Sequence, residues 1–135
     1  MPTIALSRDY RVPATTIWGR IRDFHALHTW LPGIADTRHD AQDPAIRHVI
    51  REDGAVVLEK QLATSDDDMS VRYTILAGDV PVRDFEGVIT VRDRRGAGST
   101  MTWDVSFETD ADESELTAAL TELLTGGLRR LDETA

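Results

Sequence analysis

Cysteine is absent from this 135-residue chain, and basic residues are scarce relative to acidic ones. Without cysteine, the chain has no disulfides, thiolate zinc sites, iron–sulfur clusters or cysteine nucleophiles. Fifteen Lys and Arg residues stand against 24 Asp and Glu residues, which gives a formal net charge of −9. Because neutralising phosphate requires a basic surface, this balance argues against binding to nucleic acid or to an anionic membrane surface.

Long apolar runs are absent as well. No stretch approaches the roughly 20 apolar residues that span a bilayer, and the N-terminus lacks the basic start and apolar core of a secretory signal. Hydrophobic residues make up 41% and charged residues 29% of the chain, as in ordinary globular proteins. We therefore expect one cytoplasmic domain over residues 1–135, without membrane insertion and large enough to form a hydrophobic core.

Hydrophobic periodicity predicts a strand, two short helices, six further strands and a long helix. Residues 4–12 show the period-2 alternation of a strand, which ends at Pro13. Pro13 begins a helical segment, and a second short helix is predicted at about His25 to Trp30. Turn sequences such as Asp53-Gly54 separate the later strands. These strands are predicted at Ile34–Arg38, Ile46–Arg51, Val56–Ala63, Met69–Leu76, Asp84–Arg92 and Thr100–Phe107.

The C-terminal segment predicts a long amphipathic helix, which the pair Gly126-Gly127 interrupts. Its apolar stripe consists of Leu116, Leu120, Leu123, Leu124, Leu128 and Leu131. Such a stripe has to cover an apolar sheet face, and a sheet of seven antiparallel strands curls strongly. The pattern therefore indicates an α+β architecture: a seven-stranded curved antiparallel sheet wrapped around a long C-terminal helix, with space for a pocket.

The chain resembles the START/Bet v 1-like superfamily and, within it, the polyketide cyclase/dehydrase-like proteins. The matching residues run through nearly the whole chain and include Val12-Pro13-Ala14, Asp23-Phe24, Trp30-Leu31-Pro32-Gly33-Ile34, Arg47, Glu59, Tyr73-Thr74-Ile75-Leu76, Pro81-Val82-Arg83-Asp84-Phe85, Trp103 and Gly127-Leu128. The resemblance implies a helix-grip fold around an apolar cavity. The superfamily includes cyclases, lipid carriers and hormone receptors, so the resemblance alone does not select a function.

Strand parity places Arg8 toward the predicted cavity. Parity is ambiguous for the third and fourth strands, and the register that the resemblance favours also places Arg47 and Glu59 there. An inward ion is costly unless it is paired or meets a ligand. We therefore treat the three as candidate catalytic residues: an arginine would hold a carboxylate, enolate or phenolate, and Glu59 would accept a proton. The alternative is structural, either an Arg–Glu pair that braces the sheet or charges that reach solvent at the rim. A one-residue slip of the third and fourth strands would invert this assignment.

The other candidate ligand-binding residues are mostly aromatic. They are Tyr10, His28, Trp30, Tyr73, Phe85, Trp103 and Gly127. Aromatic rings with a polar tip are common in pockets, and the missing side chain of Gly127 would let a ligand approach the helix. Core packing is the alternative for these residues. His25 and His28 share one helical face without a third ligand, so we predict no metal and no cofactor.

These features predict that the protein binds a small, mostly apolar or aromatic molecule of the polyketide, lipid or isoprenoid type. One alternative is a polyketide cyclase or dehydratase that acts on such a molecule. The other is an interaction module whose loops Ala63–Met69 and Ala77–Asp84 form a lid that responds to the ligand. In each case the partner is a small hydrophobic molecule, and we expect a monomer or a homodimer.

Overall fold

The computed structural model describes residues 2–134. Its elements, in chain order, are β1 (Thr3–Tyr10), α1 (Ala14–Ile21), a 3₁₀ helix (Phe24–Thr29), β2 (Ile34–His39), β3 (Ile46–Arg51), β4 (Val56–Ser65), β5 (Ser70–Gly78), β6 (Arg83–Asp93), β7 (Ser99–Glu108) and α2 (Glu113–Thr134). This order is the predicted one, and the strand boundaries differ from the prediction by no more than two residues.

The seven strands form one antiparallel sheet in the order β1-β7-β6-β5-β4-β3-β2. After β1, at one edge, the chain passes through the two short helices and re-enters the sheet at β2, on the opposite edge. Strands β2 to β7 then follow one another as hairpins, and β7 pairs with β1 from Thr3↔Ser106 to Tyr10↔Ser99. The chain thus returns to its first strand before it enters α2.

Side chains from neighbouring elements fix where the short helices begin. Pro13 precedes α1 in an extended conformation, with φ −61° and ψ 156°. The backbone N–H of Ala14 donates to Oδ1 of Asp93 at 2.8 Å, which ties the start of α1 to the end of β6. Asp23 caps the 3₁₀ helix by accepting a hydrogen bond from the His25 N–H at 2.9 Å. Both caps satisfy N–H groups that lack a partner within the helix.

Helix α2 is continuous over its 22 residues, so the prediction that Gly126 and Gly127 interrupt it is wrong. The start of the helix is as expected, because Oδ1 of Asp112 accepts the Glu115 N–H at 2.9 Å. The glycines lower helix propensity, but packing of the neighbouring leucines outweighs that cost. Within residues 2–134 we find no helix that is both long enough and apolar enough to cross a membrane.

The two halves of α2 differ in burial. In the C-terminal half Leu124, Leu128 and Leu131 are buried, whereas in the N-terminal half Leu116, Leu120 and Leu123 are half-buried. Two hydrogen bonds hold the C-terminal half on β1. The Tyr10 hydroxyl donates to the Leu128 carbonyl at 2.7 Å, and Nη2 of Arg8 donates to Oδ2 of Asp132 at 2.7 Å. The N-terminal half has no such contact with β1 and borders an internal space.

The inward parity predicted for the strands agrees with the burial of their side chains. Alternate residues of β6 and β7 form the buried face, with Phe85, Gly87, Ile89 and Val91 on β6 and Met101, Trp103, Val105 and Phe107 on β7. On β3 and β4 the same is true of Arg47, Val49 and Val57. The core therefore lies between one face of the sheet, α2 and the two short helices.

Candidate functional site

A cavity of about 230 Å³ lies between the sheet and the N-terminal half of α2. The sheet contributes Arg47, Val49, Arg51, Val57, Glu59, Tyr73, Ile75, Phe85 and Trp103. The helix contributes Leu116, Ala119, Leu120, Leu123 and Leu124, and the 3₁₀ helix and the turn after it contribute Leu27, Leu31 and Ile34. The lining is largely aliphatic and aromatic, which is typical of small-molecule sites.

Arg47 and Glu59 form an ion pair in the wall of this cavity. Nε of Arg47 donates to Oε1 of Glu59 at 2.8 Å, and Nη2 bonds to the same oxygen. The side chains are only 7% and 12% exposed. The two residues face each other across β3 and β4, so the register that the sequence analysis preferred is the observed one. Nη1 of Arg47 donates to the carbonyl oxygen of Phe24 at 2.8 Å.

The two members of the pair differ in their remaining hydrogen-bonding capacity. Nε of Arg47 donates to Glu59, Nη1 donates to the Phe24 carbonyl, and Nη2 lies against the same Glu59 oxygen, so each nitrogen has a partner although the guanidinium carries five N–H groups. Oε1 of Glu59 accepts both bonds from Arg47, while Oε2 has no hydrogen-bond partner among residues 2–134. Oε2 is also accessible rather than buried. The pair therefore presents one open acceptor and no net charge.

Tyr73 brings a hydroxyl group into the same cavity. Its side chain is buried, and the indole Nε1 of Trp103 donates to its oxygen at 3.1 Å. The hydroxyl hydrogen of Tyr73 has no acceptor in the described part of the chain. Burial, with a smaller contribution from the Glu59 carboxylate, raises the pKa of the Tyr73 phenol above its usual value. The group is therefore protonated at neutral pH and remains a donor.

A glycine makes room for the Tyr73 ring. Gly87 pairs with Tyr73 across β5 and β6, and the ring lies directly over it. A Cβ atom at position 87 would lie 2.5 Å from ring carbons Cε1 and Cζ and 2.7 Å from the hydroxyl oxygen. Since these distances are far below van der Waals contact, only glycine fits beneath the ring in this position.

Half of the predicted ligand-binding residues line the cavity: Arg47, Glu59, Tyr73, Phe85 and Trp103. The other half lie outside it: Arg8, Tyr10, His28, Trp30 and Gly127. The division follows the packing of α2. Where the C-terminal half of the helix lies on the sheet, the inward side chains are core, and where the N-terminal half departs from it, they line the cavity.

Arg8 and Tyr10 point inward on β1, but at the filled end of the sheet. The Tyr10 hydroxyl is used by the Leu128 carbonyl, and Arg8, whose side chain is 37% exposed, pairs with Asp132 near the end of α2. The structure thus places Arg8 outside the cavity that Arg47 and Glu59 line. An ion pair this exposed contributes little to stability.

His28, Trp30 and Gly127, predicted as ligand contacts, lie outside the cavity lining and contact other residues of the protein. Nδ1 of His28 forms a hydrogen bond with the Thr37 hydroxyl at 2.9 Å. The Trp30 ring packs against Trp103, with ring centroids 5.5 Å apart. A Cβ on Gly127 would lie 2.6 Å from Cδ1 of Leu31, so the missing side chain serves close packing of α2.

Two charged residues of the cavity lining were not among the residues predicted from the sequence. Arg51 and Asp79 are both exposed and add charged groups to a largely apolar lining that also holds Arg47 and Glu59. Arg51 shares the inward parity of Arg47 and Val49, so strand parity would have found it. Asp79 lies in the loop after β5 together with Val80 and Pro81, which also line the cavity, and loop conformation carries no periodic signal.

Of the two loops predicted to form a lid, only the one after β5 borders the cavity. The turn after β4 is held on α1 instead. Oδ1 of Asp66 accepts a hydrogen bond from Nε1 of Trp18 at 2.8 Å, and Oδ2 pairs with Nη2 of Arg22 at 2.8 Å. These bonds lower the pKa of the Asp66 carboxyl group, with Arg22 as the larger cause.

The histidines do not form a metal centre. In the part of the chain that the structure describes, no group of three or more His, Asp or Glu side chains is arranged to hold a metal ion. His25 stacks on His39 with ring centroids 3.7 Å apart, and its Nε2 bonds with the Pro44 carbonyl at 2.8 Å. Contacts with each other and with the backbone thus explain the positions of His25 and His39.

A wider depression of about 590 Å³ lies on the outer side of α2. It is lined by Pro32 and by helix residues that are mostly polar: Glu122, Thr125, Gly126, Arg129, Arg130 and Glu133. Since it offers an apolar molecule little surface to bury, the smaller internal cavity is the candidate site.

A curved antiparallel sheet around a long C-terminal helix, with an apolar cavity between them, defines a helix-grip protein of the Bet v 1-like type. Residues 1–135 match the family model described as "Polyketide cyclase / dehydrase and lipid transport", and the chain belongs to that family. The resemblance and the fold predicted from the sequence are therefore confirmed.

Solved structures with the same fold have low sequence identity to this chain. The protein XoxI from Bacillus cereus is 21% identical, with a TM-score of 0.93 over 99% of this chain and 95% of that one. An uncharacterised protein from Bacillus thuringiensis is 21% identical, with a TM-score of 0.91 over 98% of both chains. Ara h 8.0201 is 18% identical, with a TM-score of 0.80 over 98% of this chain and 96% of that one. Among curated proteins, none matches the chain.

Proposed function

We propose that this protein binds a small, mostly apolar or aromatic molecule in the cavity between the sheet and the N-terminal half of α2. The observation that carries the proposal is the cavity itself, a concave and largely apolar space of about 230 Å³. Pockets for drug-sized ligands are larger, roughly 300–1,000 Å³. The buried part of the ligand is therefore one or two rings, or the end of a polyketide, lipid or isoprenoid chain.

The leucines on α2 supply the driving force. Leu116, Leu120 and Leu123 line the cavity while half-buried, so a bound molecule removes their remaining apolar surface from water. Burial of this kind is worth about 25 cal/mol per Å². The family description names both polyketide chemistry and lipid transport, and both involve molecules that gain from such burial.

A blocking substitution tests the proposal. Leu120→Trp places a bulky indole ring in the cavity. Leu76→Trp makes the same change at an exposed position on β5. With naphthalene and other one- and two-ring aromatic compounds, we expect a rise in Tm for the wild type and for Leu76→Trp but none for Leu120→Trp. The proposal is wrong if no compound in the panel raises the wild-type Tm or gives a heat of binding by calorimetry.

A second candidate function, cyclisation or dehydration of the bound molecule, is favoured by the open oxygen of Glu59. A carboxylate oxygen without a partner can take a proton from an acidic C–H of a bound ketone. Solvent deuterium exchange at the α-carbon of a small aryl ketone, followed by NMR, tests this step. Exchange that is faster than in buffer and is lost in Glu59→Gln supports it, and exchange unaffected by the substitution contradicts it.

A further inference from the structure

Building on the proposed function, we propose that the ligand carries a neutral hydroxyl group, phenolic or alcoholic, that donates a hydrogen bond to Oε2 of Glu59 and accepts one from the Tyr73 hydroxyl. The rest of the ligand is apolar. A hydroxyl group is at once donor and acceptor, and the cavity presents one unpartnered acceptor and one unpartnered donor.

The open oxygen of Glu59 requires a donor. Oε1 accepts both bonds from Arg47, whereas Oε2 has no partner among the residues that the structure describes and remains accessible. A carboxylate oxygen left without a hydrogen bond in an apolar wall is costly, and a bond to an ionised group is among the stronger ones in proteins. A ligand that donates at this oxygen gains from both effects.

The Tyr73 side chain lines the same cavity and supplies the second contact from the neighbouring strand. Glu59 and Tyr73 are diagonal neighbours on the inward face, since Tyr73 pairs with Gln61, two residues along β4 from Glu59. Diagonal neighbours on one face are separated by roughly 7–8 Å, which long and aromatic side chains can bridge. The guanidinium carbon of Arg47 lies 5.4 Å from the Tyr73 ring centroid, so the ring stands beside the ion pair. Its own oxygen already accepts from Trp103, which leaves its hydrogen for a ligand.

The same contacts disfavour an ionised ligand. A carboxylate would meet the open oxygen of Glu59, which carries the same sign of charge, while the charge of the Arg47 guanidinium is already balanced by Glu59. An ammonium group would meet Glu59, but the Arg47 guanidinium bonded to that carboxylate already balances its charge. Either ion would bring an unpaired charge into an apolar cavity, which costs several kcal/mol. This inference differs from the hypothesis from the sequence that Arg47 holds a carboxylate, enolate or phenolate.

Four compounds with one ring system test the inference by calorimetry: naphthol, naphthalene, naphthoate and naphthylmethylammonium. We expect naphthol to bind about tenfold more tightly than naphthalene, and both ions to bind more weakly than naphthol. Equal affinity for naphthol and naphthalene, or tighter binding of either ion, overturns the inference and leaves the proposed function standing. Failure of all four to bind contradicts the proposed function itself.

Two substitutions test the individual contacts. Tyr73→Phe should lower naphthol affinity roughly three- to tenfold and leave naphthalene affinity unchanged. Tyr10→Phe, which removes a buried hydroxyl outside the cavity, should change neither. Glu59→Gln leaves Arg47 without its counter-charge and should shift the preference from naphthol toward naphthoate, whereas Glu86→Gln, on an exposed residue of β6, should not. If Tyr73→Phe affects both neutral compounds equally, the hydroxyl contact is wrong.

Discussion

The guanidinium carbon of Arg47 lies 3.7 Å from the centroid of the Phe24 ring, and Nη1 of the same side chain donates to the Phe24 carbonyl oxygen at 2.8 Å. Arg47 thus contacts both the ring and the backbone of the first residue of the 3₁₀ helix. Together with its bonds to Glu59, these contacts link β3, β4 and the 3₁₀ helix at the wall of the cavity. A cation stacked on a ring in a desolvated setting contributes about 2 kcal/mol.

Removing one partner of the buried pair should cost far more than removing both. We expect Arg47→Ala to lower the free energy of unfolding by roughly 3–5 kcal/mol, because the Glu59 carboxylate is left buried and unpaired. The double variant Arg47→Met/Glu59→Leu should recover much of this loss. Urea denaturation measures both. Arg38→Ala, which breaks an exposed pair with Asp36, is the control and should change little. A double variant as unstable as Arg47→Ala would contradict this account.

Gly87 and Gly19 should respond to alanine in opposite directions. Gly87→Ala forces a Cβ into the Tyr73 ring and should destabilise the protein by roughly 1–3 kcal/mol. Gly19 lies within α1 with no atom near the position of a Cβ, so Gly19→Ala should stabilise by roughly 0.5–1 kcal/mol. Thermal denaturation measures both changes. If Gly87→Ala leaves the stability unchanged, the Tyr73 ring can adopt another position.

The adjacent glycines of α2 should separate stability from ligand binding. A Cβ on Gly127 would lie 2.6 Å from Cδ1 of Leu31 and 3.1 Å from Cζ3 of Trp30, so the Leu31 side chain, which lines the cavity, would have to move. We expect Gly127→Ala to change stability little, because helix propensity offsets the displacement, but to weaken naphthalene binding at least several-fold. A Cβ on Gly126 has its nearest contact at 3.7 Å, so Gly126→Ala should gain roughly 0.5–1 kcal/mol with binding intact. Calorimetry measures the naphthalene affinity of both variants. Unchanged affinity in Gly127→Ala would contradict the prediction.

Alkaline pH should unfold the protein through its two tyrosines. Burial raises the pKa of Tyr10 and of Tyr73 above the ordinary value. The folded state therefore retains protons that the unfolded chain loses above about pH 10, so the free energy of unfolding falls as the pH rises past that point and is unaffected below it. Tyrosinate absorbance should appear together with the loss of far-UV circular dichroism. Tyrosinate that forms while the fold is intact would contradict the prediction.

The sequence predicted the elements and much of the cavity wall, because strand parity is a local property. Arg47 opposite Glu59 follows from alternation on β3 and β4 once the register is chosen. The sequence could not show where the cavity ends. Arg8 has the same inward parity as Arg47, and only the packing of α2 on β1 separates a core position from a cavity position. Gly127 was ambiguous for the same reason, since close packing and ligand access both favour a missing side chain.

The unequal burial of the two halves of α2 has a consequence for motion. The last turns are held by Leu128, Leu131 and the Tyr10 hydroxyl, while the turns around Leu116 and Leu120 rest on a cavity. Local opening requires less free energy where fewer apolar contacts are lost, so amide hydrogens should exchange with solvent faster in the N-terminal half of the helix than in the C-terminal half. Filling the cavity would slow exchange in the first half alone. The helix is thus a built-in reporter of occupancy, readable by mass spectrometry without any label on the ligand.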